Sequence, residues 1–230
     1  MCNERLWQPT WQQIKEHYDG KCKLVHLPIP TSGNMEEVVA KMAAKIVVND
    51  AILVGFSLGG YIASAIAVQH PLLIQHLVIV SNLPKDLPEL EIRQRHRTIV
   101  WIEKRGYTGI PNKRIEDLLH PKIKHTSLDS FSTIRAEIIA MDRDLGVEVL
   151  LHQLAVSMKR PSLLVQLSKL PVPIIFLTGD ADSLVDSNQL LNQVNSANNM
   201  ALEKVVNTGH MLPLESPQFL ALQLIKLLQN

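Results

Sequence analysis

The chain has 230 residues, of which 46% are hydrophobic, and a formal net charge of +1. This length fits one domain, or one domain with a sizeable insertion, and the near-neutral charge gives no bulk attraction to nucleic acid or to an acidic membrane surface. Two cysteines, Cys2 and Cys22, are too few for a disulfide framework. The N-terminus lacks the apolar core of a secretory signal, and no apolar run approaches the roughly 20 residues of a membrane span, so we expect a cytoplasmic protein.

The first third of the chain predicts two helices and a strand. Apolar side chains at helical spacing indicate a helix over residues 5–18. Residues 23–27 have the apolar character of a short strand. A second helix is expected over residues 35–48, with Ser32 or Asn34 as its N-cap.

The most informative stretch joins a short apolar strand, beginning at Ala51, to a helix rich in small residues that runs to about His70. Gly55, Ser57 and Gly59 lie at the junction in the spacing of a nucleophile elbow. In such a turn the serine takes strained backbone angles, and side chains at the two flanking positions would collide, so both are glycine. The pentapeptide alone also fits a turn whose glycines are only structural.

The middle of the chain changes character after an apolar strand at residues 76–80. Charged residues mix with helical apolar spacing, and strand-like runs disappear. We predict a helical cap over residues 82–170, inserted into a core made of residues 1–81 and 171–230. The predicted cap helices cover residues 88–105, 112–119, 127–144 and 147–157, with a short helix after Pro161.

Strands and helices alternate again in the last quarter of the chain. Residues 172–178 and 201–206 read as strands, and residues 187–197 and 216–228 as helices. The alternation implies an α/β fold with a mostly parallel sheet and helices on both faces.

Three polar residues follow three of these strands, and the carboxyl ends of parallel strands share one edge of the sheet. Ser57 is the candidate nucleophile, and His210 is the candidate general base and then general acid. Asp182 would hold the imidazole in the right tautomer; Asp180 is the alternative, and we favour Asp182. Asp186 is expected to be the N-cap of the helix at 187–197. The other eight histidines are expected to be surface or structural groups.

Three segments resemble the signature blocks of the α/β-hydrolase superfamily, namely Gly55–Gly60, Gly179–Asp182 and Gly209–Pro217. The resemblance covers most of the chain. It is closest to a small bacterial branch that contains carboxylesterases and the pimeloyl-carrier-protein methyl ester esterase, in which a helical cap occupies the position of residues 82–170.

The resemblance implies roles for four residues of this chain. It implies Ser57 as nucleophile, Asp182 as acid and His210 as base, with the backbone N–H of Leu58 as one oxyanion donor. The α/β-hydrolase fold and its Ser, Asp, His order along the chain are likewise what the resemblance implies.

The sequence departs from the resembled pattern at its start. The strand and glycine loop that supply a second oxyanion donor are absent, and that strand would lie between the counterparts of residues 23–27 and 51–55. Two further N-terminal strands are absent as well. Three explanations of the absent strand are open: the start codon has been assigned too late, the strand is replaced by one from a partner chain, or the protein is an inactive relative. We hypothesise the first, which an in-frame stop codon directly upstream of Met1 would contradict; N–H groups near Met1 or Cys2 are candidate substitutes.

The leading interpretation is a serine hydrolase that cleaves carboxylic esters or thioesters through an acyl-enzyme. No cofactor or metal is expected, because His-x-x-x-His and Cys-x-x-Cys spacings are absent. The alternatives are carbon–carbon bond hydrolysis or cofactor-free perhydrolysis by the same triad, and a non-catalytic ligand binder.

Partners are less constrained than the reaction. The expected partner is a small-molecule ester or thioester, with no nucleic acid and no membrane, and a homodimer stays open. Arg93, Arg95 and Arg97 form a basic cluster that is either a solvated helix face or a dock for an acyl carrier protein. Met141, Met158 and Met211 are candidate pocket-lining residues, although methionines at helical spacing are more often core. We expect the cap to determine which substrate is accepted.

Overall fold

A sheet of four parallel strands forms the centre of the fold in the computed structural model, which describes residues 1–123 and 127–229. The strands are β1 (Ala51–Phe56), β2 (Ile74–Val80), β3 (Ile174–Gly179) and β4 (Met200–Val205), hydrogen-bonded in the order β1-β2-β3-β4. In register, Val78 lies opposite Val54 on one side and Ile175 on the other. The predicted strands before Ser57, at 76–80, at 172–178 and at 201–206 are confirmed, as is the parallel sheet.

Ten α-helices surround this sheet in the described part of the chain, with 3-10 turns at Glu4–Leu6 and Pro71–Leu73. They are α1 (Gln8–His17), α2 (Met35–Ala43), α3 (Leu58–Gln69), α4 (Glu89–Arg105), α5 (Asn112–Leu118), α6 (Leu128–Met158), α7 (Leu164–Leu167), α8 (Ser187–Asn195), α9 (Leu212–Glu215) and α10 (Pro217–Leu228).

The sheet is covered on both faces because successive strand residues point to opposite sides. Leu77 and Ile79 of β2 belong to one apolar cluster, which includes side chains of α2, α3 and α8. Val78 and Val80 belong to a second cluster, which includes side chains of α1 and α10. This double burial explains why β2 and β3 are apolar along nearly their whole length.

Between β2 and β3 the described residues form helices joined by loops and contain no strand, as the sequence predicts. The two predicted helices at 127–144 and 147–157 are confirmed as the two halves of α6, which meet at a kink at Gly146, whose φ of 75° is non-helical. Residues 124–126 of the predicted cap lie outside the described residues. Across residues 1–123 and 127–229, no helix combines the length and apolar character that a membrane crossing requires.

Near the N-terminus, one predicted strand is wrong and one predicted helix is confirmed but shorter than expected. Residues 23–27 carry no strand pairing, because the segment faces β1 across a cavity and no described strand lies between them to complete a ladder. Helix α2, capped by Asn34, ends at Ala43 instead of Val48. The N–H groups of Lys45 and Ile46 bond three residues back, which tightens and ends the last turn.

Candidate active site

Ser57 occupies the sharp turn between β1 and α3. Its backbone angles are φ 50° and ψ −120°, a conformation that side chains rarely adopt. The turn is fixed because the Ser57 N–H donates to the Val80 carbonyl at 2.9 Å, and the Ser57 carbonyl accepts from the Gly60 N–H at 2.9 Å. The side chain therefore stands at the N-terminus of α3, where the helix dipole favours negative charge.

The two glycines that flank Ser57 differ in what they accommodate. A Cβ on Gly55 would lie 2.4 Å from the Gly59 carbonyl oxygen, so glycine is required there as predicted. A Cβ on Gly59 would meet nothing within 4 Å, so the predicted steric reason for a second glycine is wrong. Gly59 lines the cavity in front of Ser57, and the crowded position is Gly60, whose Cβ would lie 3.0 Å from Asn82 Cβ.

The three residues singled out in the sequence lie in mutual contact. His210 Nε2 is 3.2 Å from Ser57 Oγ, and His210 Nδ1 is 3.0 Å from each carboxylate oxygen of Asp182. Asp182 and His210 are buried, so their interaction is poorly screened by water. Asp182 Oδ1 also accepts from the Leu184 N–H at 2.9 Å, which fixes the carboxylate plane.

The alternative aspartate, Asp180, has a different contact. It is exposed, and its Oδ1 accepts from the Thr208 N–H at 3.2 Å, so it ties the loop after β3 to the loop after β4. Asp186 accepts from the Gln189 N–H and is the N-cap of α8, as predicted. Of the two candidates, Asp182 is therefore the carboxylate beside the imidazole.

The loops after β3 and β4 can meet because glycine is present at Gly179. A Cβ there would lie 2.1 Å from the Thr208 carbonyl oxygen. The imidazole of His210 also packs against Phe56, with ring centroids 5.2 Å apart and planes tilted by 50°. These contacts orient the histidine toward the turn that holds Ser57.

Glu215 makes a further set of contacts beneath the histidine. Its Oε1 accepts from the N–H groups of Gly209 and Met211, both at 3.1 Å, and its Oε2 accepts from the His120 N–H at 2.7 Å. Burial raises the pKa of Glu215 to about 7, against the lowering effect of these three bonds, and the charge of Asp182 adds to the rise.

A cavity of about 1550 Å³ lies in front of Ser57 and His210. It exceeds the roughly 300–1,000 Å³ of common ligand pockets, since it continues along the outer edge of β1 as far as residues 21–27. Met1, Cys2 and Asn3 line the same space, as does Leu58.

The sequence missed several polar groups that shape this cavity. Asp142, buried within α6, accepts from the Tyr107 hydroxyl at 2.7 Å and from the Ile110 N–H at 2.9 Å, and all three residues line the cavity. Of the candidate methionines, Met211 lines the cavity, but Met141 is fully buried in the core. Asp142 and Tyr107 are 35 positions apart in the sequence, and no local sequence pattern predicts a contact over that separation.

Glu215 was more accessible to sequence reasoning. It is an acidic residue five positions after His210, within the loop and short helix that follow β4. An acidic side chain in the first turn of a helix, near backbone N–H groups that have no acceptor within the helix, is a recognisable capping signal.

The arrangement can perform acid–base chemistry on a hydroxyl. A histidine between a serine hydroxyl and a buried carboxylate can accept the serine proton while the carboxylate stabilises the resulting imidazolium. Within the described residues, no group of three His, Cys, Asp or Glu side chains could hold a metal ion.

Comparison with known proteins gives a curated relative and many similar structures. A pimeloyl-[acyl-carrier protein] methyl ester esterase from Pseudoalteromonas atlantica is 24% identical over 92 residues, which are 36% of this chain and 34% of that protein. The match therefore spans about a third of the relative's length.

Two solved structures illustrate the fold. An esterase from Thermogutta terrifontis has a TM-score of 0.81 at 17% identity, over 99% of this chain and 86% of that chain. An enol-lactonase from Burkholderia xenovorans LB400 has a TM-score of 0.76 at 13% identity, over 100% of this chain and 88% of that chain. A family model described as alpha/beta hydrolase fold matches residues 28–217. Because that match covers most of the sequence, this chain belongs to the alpha/beta hydrolase fold family.

Proposed function

We propose that this protein is a serine hydrolase that cleaves carboxylic esters or thioesters. The observation that carries the proposal is the continuous contact from Ser57 Oγ through the His210 imidazole to the buried Asp182 carboxylate, at 3.2 and 3.0 Å. The cavity in front of this contact provides space for an acyl group.

The proposed reaction proceeds in two halves. Ser57 Oγ attacks the ester carbonyl as His210 Nε2 takes its proton, and the tetrahedral intermediate expels the alcohol or thiol, which receives that proton. Water then attacks the acyl-enzyme with His210 again as the base, which releases the acid and restores the serine. Asp182 stabilises the imidazolium in both halves.

The oxyanion requires N–H donors beside Ser57. Leu58 is the first residue of α3, so its N–H has no acceptor within the helix and can donate to the oxyanion. We propose that a second donor comes from the N-terminal segment, since Met1 and Cys2 line the same cavity. Without a second donor the rate would be lower by about 10²–10³-fold.

The named activities of the relatives favour ester cleavage. Three of them are an esterase, a methyl ester esterase and an enol-lactonase, and a lactone is a cyclic ester. Other similar structures are a putative non-heme bromoperoxidase and a 2-hydroxy-6-oxo-6-phenylhexa-2,4-dienoate hydrolase, so perhydrolysis and carbon–carbon bond hydrolysis by the same residues stay as alternatives. A non-catalytic ligand binder is the second candidate, because the described β1 has a neighbour on one side only and its outer edge borders the cavity. Hydrolysis of an ester by the purified protein would distinguish a hydrolase from a ligand binder.

An acyl carrier protein is a candidate source of the acyl group, given the name of the curated relative. In the basic cluster of α4, Arg93 pairs with Glu89 at 2.9 Å and Arg95 pairs with Glu91, so their charges are partly compensated. Reversing the charges of Arg93 and Arg97 is expected to slow the hydrolysis of carrier-bound esters and to leave small esters unaffected. Equal effects on both substrates would refute carrier docking.

The test of the main proposal is turnover of a short-chain chromogenic ester by the wild type and by Ser57→Ala. We expect hydrolysis that follows saturation kinetics and is lost in the variant. Hydrolysis that persists in Ser57→Ala, or none in either protein across ester chain lengths, would contradict the proposal.

A further inference from the structure

We propose that Glu215 is a positioning residue, which joins the loop of His210 to the end of helix α5 and so keeps the imidazole aimed at Ser57. This inference rests on the proposed function of Ser57 and His210.

One carboxylate oxygen of Glu215 fixes both neighbours of the histidine. Oε1 lies 3.1 Å from the N–H of Gly209 and 3.1 Å from the N–H of Met211. Hydrogen bonds to an ionised acceptor are about twice as strong as neutral ones, so the backbone on each side of His210 is held by the same charged group.

The other oxygen reaches the segment between β2 and β3. Oε2 accepts from the His120 N–H at 2.7 Å, and the Leu118 carbonyl accepts from the His210 N–H at 2.8 Å. A Cβ on Gly209 would lie 2.6 Å from the His120 nitrogen, so the two backbones are in direct contact. Leu118 also lines the cavity, so the segment that is bonded to the His210 loop borders the same space as Ser57.

The protonation of Glu215 controls how many of these contacts persist. The charge that acts on it is that of Asp182, after β3, and its contacts with His120 and with the two neighbours of His210 are made by backbone N–H groups. Burial raises the pKa of Glu215 to about 7, so the carboxylate gains a proton as the pH falls below neutrality. A carboxylic acid carries a donor of its own and cannot accept from three N–H groups as well as the anion does. The base loop is therefore expected to loosen on the acid side.

The amide variant separates the two halves of this contact. In Glu215→Gln the single carbonyl oxygen can replace Oε1, but the NH₂ group would then face the His120 N–H, donor against donor. Glu215→Ala removes all three bonds. Glu203→Gln, at an exposed position on β4, is the matched control.

Ester hydrolysis is measured from pH 5 to 9 for the wild type and the three variants, with thermal unfolding as a check of folding. We expect Glu215→Ala to lose about 10²-fold in kcat and Glu215→Gln about tenfold, because a small misplacement of a catalytic group is costly. In both Glu215 variants, the fall of kcat/KM on the acid side of the pH profile should move to lower pH, because a group that titrates near neutrality is removed. In Glu203→Gln the acid side of the profile should be unchanged. A loss of activity that follows the loss of thermal stability, with the acid limb in place, would overturn the positioning role.

Amide hydrogen exchange tests the same contacts without using activity. We expect exchange at Gly209 and His120 to accelerate by about tenfold or more in Glu215→Ala, and chiefly at His120 in Glu215→Gln. Met211 should accelerate less, because its N–H also donates to the Leu118 carbonyl at 3.3 Å. If the wild type hydrolyses no ester, the proposed function fails, and the exchange data still decide the matter. Faster exchange in the His210 loop and at His120 supports the positioning role of Glu215, whereas unchanged exchange overturns it.

Discussion

Asp182→Asn is the substitution for which the structure makes the most specific prediction. The Leu184 N–H donates to Oδ1 of Asp182, so the carbonyl of the introduced amide will occupy that position. Its NH₂ group then takes the place of Oδ2, 3.0 Å from His210 Nδ1. The carbonyl oxygen is also 3.0 Å from Nδ1 and can accept from an Nδ1–H, but the NH₂ group would then face that N–H, donor against donor. The substitution therefore favours the tautomer in which Nδ1 accepts from the NH₂ group and the imidazole proton is on Nε2.

This tautomer cannot accept the Ser57 proton, because Nε2 now carries one at 3.2 Å from the hydroxyl. The expected loss in kcat is about 10⁴-fold, the scale of a wrong-tautomer defect in a serine triad. KM should change little, since Asp182 does not line the cavity. The assay is chromogenic ester hydrolysis at pH 7 to 8.

Asp180→Asn is the matched control. It changes an aspartate two residues away that contacts the Thr208 N–H instead of the imidazole, and it should lose less than about tenfold. If Asp182→Asn retains activity within about tenfold of the wild type, or if both variants lose activity equally, the assignment of Asp182 is wrong.

Further substitutions test the elbow, the buried carboxyl and the cavity wall. Gly55→Ala should lower the free energy of unfolding by about 1–3 kcal/mol, because its Cβ would lie 2.4 Å from the Gly59 carbonyl oxygen. Gly59→Ala should instead raise it by about 0.5–1 kcal/mol in denaturant titrations, since the site is open and helical. The fold should favour the neutral acid of Glu215 over the anion by about 3 kcal/mol, because the cost of burying the charge outweighs the three hydrogen bonds that the anion accepts. This stability is present below the ordinary pKa of 4.5 and is lost as the pH rises through about 7; denaturant titrations in which Glu215→Gln keeps the wild-type pH dependence would contradict this. Tyr107→Phe should cost about 1–2 kcal/mol because it removes a 2.7 Å bond to buried Asp142, and a calorimetric shift within error would show that water replaces the bond.

The sequence predicted the strands that are fully buried and the three residues of the candidate site. An apolar run such as 172–178 is a strong local signal of a buried strand. A serine flanked by glycines predicts a strained turn, and Ser57 has the positive φ of 50° that such a turn requires. Placing Asp182 and His210 beside Ser57 required only that parallel strands end at one edge.

The errors occur where a local pattern depends on distant neighbours. Residues 23–27 have the composition of a strand, but a strand needs a partner, and the described β1 lies across the cavity from them. A tight turn predicted a collision at both glycines that flank Ser57, but a Cβ on Gly59 would meet nothing within 4 Å, because that side of the turn is open. The contacts of Asp142 and Glu215 with residues 32–35 and 95 positions away are set by packing and have no signature in sequence spacing.

The central claim is that Ser57 is an activated nucleophile, and the most direct measurement is the intact mass after incubation with a fluorophosphonate probe. Such a probe reacts with a serine whose proton is removed and whose anionic adduct is stabilised. We predict a single adduct on the wild type, at Ser57 by peptide mapping, and none on Ser57→Ala. An unlabelled wild type, or equal labelling of both proteins, would contradict the claim.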